Sequence, residues 1–78
     1  MKKIIPLCDT APGNKCRIIE VISKGKKRNR LLDLGLIKNN EIDVLYSSPF
    51  GNPVAYYVQG AVIALRREDA CEITVEII

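Results

Sequence analysis

The chain has 78 residues, a formal net charge of +3, 47% hydrophobic residues and 27% charged ones. A length this short allows one domain, 1–78, whose core is thin, since folding at this size buries only roughly 60–65% of the surface of the unfolded chain. The balance of apolar and charged residues excludes a disordered tail, and the longest aliphatic run, Ala61 to Leu65, excludes a spanning helix, which takes about 20 apolar residues.

Lys2 and Lys3 before IIPLC imitate the start of an export signal, but Asp9 ends the apolar stretch too early. The chain is therefore placed in the cytosol. PLCDTAPGNK, Pro6 to Lys15, is expected to open the fold as a loop with a turn at Pro12-Gly13. Cys16 to Ser23 is rich in β-branched residues and predicts the first strand. Its alternation falters at Ile18-Ile19, as happens where both faces of a strand are partly covered or where a bulge inserts a residue.

A short helix is expected from about Lys26 to Leu34, with Leu31 and Leu34 one turn apart. Gly35 follows at the position where a left-handed conformation costs glycine nothing, and the next residue, Leu36, folds back toward Leu31. Leu31, Leu34 and Leu36 are all expected in the core. Asn39-Asn40 is a turn. Glu41 to Ser47 predicts the second strand, and Pro49 to Pro53 a loop around Phe50. Val54 to Val58 predicts the third strand, in which the neighbours Tyr56 and Tyr57 must face opposite ways, one core and one surface. Gln59-Gly60 turns the chain into a fourth strand, Val62 to Arg66. RREDA is a polar turn or a single 3-10 turn. CEITVEI closes the fold as a fifth strand, with Ile73, Val75 and Ile77 inward.

Five short strands, one helix between the first and second, and frequent turn signals describe a mainly β fold: a small, partly open barrel, SH3-like or OB-like in shape, with the helix over one opening.

The chemistry is sparse. The chain has no histidine and no nucleophile elbow, and SKGKKRNR lacks the spacing of a phosphate-binding loop, so neither catalysis nor a cofactor is expected. Three cysteines, Cys8, Cys16 and Cys71, fit no zinc ribbon or CxxC motif and are expected to be reduced. A thiolate–carboxylate pair, Cys8 or Cys16 with Asp9, would suit zinc or ferrous iron and is the basis of an alternative, metal-responsive function.

Charge is unevenly placed. Five of the 12 basic residues (Lys24, Lys26, Lys27, Arg28 and Arg30) crowd the start of the helix, while Glu68, Asp69, Glu72 and Glu76 fall near the end of the chain. Cations at a helix N-terminus oppose its dipole, so this run is either a solvated helix start or a contact patch. A nucleic-acid partner is the second alternative, although 5% aromatic residues leave few platforms for bases. The candidate contact surface comprises Lys26, Lys27, Arg28 and Arg30, the corner residues Leu34 and Gly35, the loop residue Phe50, and Tyr57. The acidic residues could also meet the basic helix of a second copy, giving a weak homo-oligomer.

RLLDLGL (Arg30 to Leu36), PFGNP (Pro49 to Pro53) and ALRREDA followed by alternating strand residues, with PL and PG upstream, form an ordered set. From about Leu7 to Ile77 the chain resembles the FeoA family, small cytosolic accessory proteins of bacterial ferrous-iron uptake. The resemblance implies an SH3-like barrel, a non-enzymatic regulatory role and a partner, the cytosolic GTP-binding part of the membrane permease FeoB. A similar SH3-like fold forms the C-terminal domain of iron-dependent repressors; a chain that starts at Met1 and carries no DNA-binding helices fits FeoA better. Two positions depart from the family pattern: Asn39, where glycine is usual, and Asn52, where aspartate is usual.

Overall fold

The computed structural model describes residues 3–78; Met1 and Lys2, and with Lys2 part of the export-signal expectation, lie outside the described residues. In chain order the elements are β1 (Lys3–Pro6), a 3-10 turn (Leu7–Asp9), β2 (Lys15–Val21), α1 (Gly25–Asp33), β3 (Glu41–Ser47), β4 (Val54–Val58), β5 (Ala61–Leu65), α2 (Arg67–Ala70) and β6 (Ile73–Ile77). The strands form one antiparallel sheet in the order β1-β6-β2-β3-β4-β5.

Two differences from the sequence expectation concern the frame. A short N-terminal strand, β1, stands where no regular element was expected, pairing with β6 from Lys3↔Ile77 to Pro6↔Thr74. The helix therefore follows the second strand of six, not the first of five. Four residues ending in proline carry no strand pattern of their own; β6 supplies the ladder, and Pro6 is tolerated because β1 is an edge. RREDA also contains a full turn of α-helix.

Local chemistry explains the rest. Pro12 and Gly13 occupy the middle of a turn closed by Asn14 N–H to the Ala11 carbonyl at 3.0 Å, with Gly13 at φ +93°. The faltering alternation of β2 is a bulge at Ile19, against β6; a second bulge interrupts β3 at Leu45. β4 and β5 are joined by two residues at positive φ, Gln59 and Gly60, the type I′ geometry whose twist suits a hairpin.

The core collects one face of the sheet and the inner side of α1. Leu7, Cys16, Ile18, Leu31, Leu36, Ile42 and Ile73 are fully buried. Tyr56 is 1% exposed and Tyr57 44%, so the two neighbours do divide between core and surface. Leu31 and Leu36 reach the core as expected, but Leu34 does not. It caps the helix with 37% of its surface exposed, and the half-buried Leu32 packs against the core instead.

Candidate functional site

The corner after α1 is built by short-range signals. The Leu36 N–H donates to the Leu31 carbonyl and the Gly35 N–H to that of Leu32, at 3.2 and 3.0 Å, the paired bonds that close a helix on a left-handed residue. Gly35 has φ +97°. Asn40 Nδ2 donates to the Gly35 carbonyl at 2.9 Å, and Asn39 sits at φ +76°, so asparagine fills the turn where the family usually has glycine. Backbone bonds from Asn39 N–H to Ile18 and from Ile18 N–H to Asn40 stitch this turn onto β2 beside its bulge. The corner is therefore rigid, and it displays Leu34 and Ile37 to solvent.

The basic run divides. Lys27 Nζ lies 2.8 Å from Asp69 Oδ1 and also bonds Glu72, whose other oxygen accepts from the Ser23 hydroxyl at 2.9 Å. Arg30 reaches Asp69 at 3.6 Å, and Arg28 donates to the Val21 carbonyl. Asp69 and Ser23 are buried. Two of the four late acidic residues thus meet the basic helix within one chain, fastening α1 to the α2–β6 junction. Glu76 pairs with Arg17 instead, at 3.8 Å. Lys24 and Lys26 make no such contact among the described residues. The sequence held a clue to this network, an excess of acids near its end, but no local pattern linked them to Lys27.

The network has a pH signature. The Lys27 ammonium titrates above its ordinary value of 10.5, held first by Asp69 and then by Glu72. Glu72 titrates below 4.5, held by Lys27 and then by Ser23. Folded Glu72 binds its proton less readily than unfolded Glu72. Its contribution is therefore complete above the ordinary carboxylate value and disappears as pH falls through the lowered one. The contribution of Lys27 is complete below 10.5 and is lost as pH rises through its raised value. Glu72→Gln should therefore melt below the wild type at pH 7, and the gap should narrow as pH falls below 4.5, as thermal melts along that descent will show.

The PFGNP loop holds its phenylalanine outward. Ser48 ties the loop base: its hydroxyl donates to the Asn52 carbonyl at 2.7 Å and accepts from the Asn52 N–H at 3.1 Å. Asn52 Oδ1 accepts the Arg67 N–H at 3.1 Å, so the side-chain carbonyl that asparagine shares with aspartate fixes the loop to α2. The Asn52-Pro53 peptide is cis. Phe50 is 94% exposed at the tip. On the outer face of the sheet, Tyr57 is flanked by the exposed Val62, its partner on β5.

The structure corrects the expectation for two of the cysteines. Cys8 and Cys71 are joined by a disulfide. The β1–β6 register brings the 3-10 turn against the end of α2, a pairing invisible at a sequence separation of 63. Cys16 is free and fully buried, and its thiol is pushed above its ordinary value by burial and then by the charge of Asp43. The thiolate is the reactive form. A thiol reagent should therefore find none in the native protein, two after mild reduction, and Cys16 last, in denaturant. Among the described residues no three His, Cys, Asp or Glu side chains gather as a metal site. Cys8 approaches Asp9 at 3.8 Å, but its sulfur is already bonded to Cys71.

The eight candidate contact residues do not form one patch. Leu34 and Gly35 sit at the Val58 end of β4, where Gly35 abuts the Gln59 turn. Phe50 precedes the opposite end of β4, and Tyr57 lies on its outer face. Lys26, Lys27 and Arg30 line a cleft with Ala64 and Arg66. Of the four cations, Lys27, Arg28 and Arg30 serve the fold itself.

No helix among the described residues is long and apolar enough to cross a membrane. The family model of the FeoA domain matches residues 5–77. A fusion protein of Porphyromonas gingivalis, Fe(2+) transport protein A joined to Fe(2+) transporter FeoB, is 35% identical over 72 residues; these are 92% of this chain and 8% of the relative's length. A solution structure of the FeoA protein from Chlorobium tepidum superposes with a TM-score of 0.88 at 31% identity, covering 95% of this chain and 70% of that one. A crystal structure of Stenotrophomonas maltophilia FeoA complexed with zinc, described as a procaryotic SH3 domain protein, superposes with a TM-score of 0.78. It covers 96% of this chain and 88% of that one at 23% identity, a likeness of fold. With the six-stranded antiparallel sheet, the glycine corner and the PFGNP loop all in place, and with the family match running almost from end to end, this chain belongs to the FeoA family.

Proposed function

We propose that this domain is a non-enzymatic accessory module of ferrous-iron uptake that docks, in the cytosol, on the GTP-binding part of a FeoB-type permease. The observation that carries this reading is the Porphyromonas gingivalis relative, in which the homologous segment and FeoB are one polypeptide. Covalent joining gives two modules an effective concentration in the mM range for short linkers. A separate chain acting on the same partner has to supply that proximity through its own surface.

The surface is suited to this. Phe50 stands on a braced loop, so its burial by a partner carries little ordering cost, and single aromatic anchors commonly dominate an interface. Leu34 and Tyr57 are further exposed apolar side chains, at the other end and on the outer face of β4. Because Lys27, Arg28 and Arg30 are engaged within the chain, the remaining free cations are few for a nucleic-acid groove.

The test is retention of the purified domain by the immobilised GTP-binding domain of a FeoB-type permease. Retention is expected, weakened about tenfold or more by Phe50→Ala. Absence of retention at every salt concentration would remove the reading.

A further inference from the structure

The two edges of the sheet are treated differently. β1 carries Lys3 at its start and Pro6 at its end, both of which discourage another strand from adding on. β5, AVIAL, has neither charge nor proline. The two-residue turn makes Val58 and Ala61 a hydrogen-bonded pair, and bonded pairs alternate along an antiparallel ladder. The N–H and C=O groups of Val62 and Ala64 therefore face away from β4. No backbone bond between separate elements involves them among the described residues.

Beside this open edge runs a cleft between β5 and α1. Lys26, Lys27 and Arg30 line it from the helix, and Ala64, Arg66, Glu68 and Asp69 from the strand and the turn after it. Four cations thus face two carboxylates. Lys27 and Arg30 already share Asp69, Arg66 pairs with Glu68 at 3.6 Å, and Lys26 is left over. A second copy adding along β5 would bring two such positive clefts together. An occupant carrying carboxylates is attracted by the same charges.

We propose that this edge takes an extended acidic segment of a partner protein, which joins the sheet as a seventh strand between β5 and α1. Main-chain bonds to Val62 and Ala64 supply general affinity, and the exposed Lys26 and Arg66 select carboxylates on the incoming strand. The inference rests on the domain acting by docking, and not on which protein it docks to.

The experiment uses the whole chain and short synthetic peptides in which glutamate or lysine alternates with valine. The glutamate peptide should bind, more weakly as salt rises, and should slow hydrogen exchange at the amides of Val62 and Ala64. Lys26→Glu/Arg66→Glu should weaken binding about tenfold or more. Ala64→Pro, which removes an outward N–H, should abolish it. Should that variant fail to fold, the exposed charge pair carries the test. Equal binding of the two peptides, no binding, unprotected Val62 and Ala64 amides, or dimerisation that protects those amides without peptide would each overturn the proposal. No permease enters the assay, so this failure and loss of permease retention are separate results.

Discussion

Replacing Cys71 with serine should lower the free energy of unfolding by about 4 kcal/mol, the chain-entropy value for releasing a loop of this size in the unfolded state. The sequence separation of 63 sets that figure. A domain of this length has roughly 4–12 kcal/mol in all, so the variant would stand close to its limit. Urea titrations with and without reductant check the cause. Wild type in dithiothreitol should fall onto the curve of the variant, the variant should not respond, and the slope should steepen because an uncrosslinked chain exposes more surface on unfolding. A wild type indifferent to reductant would show that the bond contributes nothing.

Gly35→Ala should destabilise the domain by about 3 kcal/mol. Alanine at φ +97° is strained by about 1–2 kcal/mol. Its methyl would also lie 3.2 Å from Val58 Cγ1 and from Gln59 Cγ. Gln59 is exposed and can move, but Val58 is 1% exposed and held by the core, so overpacking adds about 1–3 kcal/mol. Gly51→Ala is the control. It has φ +80° and nothing within 4 Å, so it carries the backbone strain alone. The melting temperature of Gly35→Ala should drop by about 10–20 °C. If the two variants melt together, the close approach of Gly35 to β4 is of no consequence.

The parts of this fold that the sequence announces are those made by neighbours in the chain. Gly35 and Leu36 declare the helix stop because the bonds that form it span only a few residues. Glu41–Ser47 and Val54–Val58 appear with the boundaries their alternation suggests, and Tyr56 and Tyr57 separate because successive strand residues must. What stays hidden is made by distant partners. β1 is a strand because β6 lies beside it. The Cys8–Cys71 bond depends on that same register. Lys27 is a structural residue because Asp69 and Glu72 arrive from the far end of the chain, and a run of cations says nothing about where its counter-ions are. Leu34 shows the limit of helical spacing: one turn after a core residue, at the cap, the chain is already leaving the core.

The position of the disulfide also decides how this domain bears load. The start of β1 and the end of β6 lie side by side, Lys3 opposite Ile77. Tension applied at both tails would peel these two strands apart rung by rung, until the pull reaches Cys8 and Cys71 and passes straight across the bridge. The covalent path then skips everything from Asp9 to Ala70, including the helix corner and the Phe50 loop, and load reaches that segment only through the pairing of β6 with β2. A longer polypeptide could be tugged through this domain without its taut backbone running through the surfaces the domain presents.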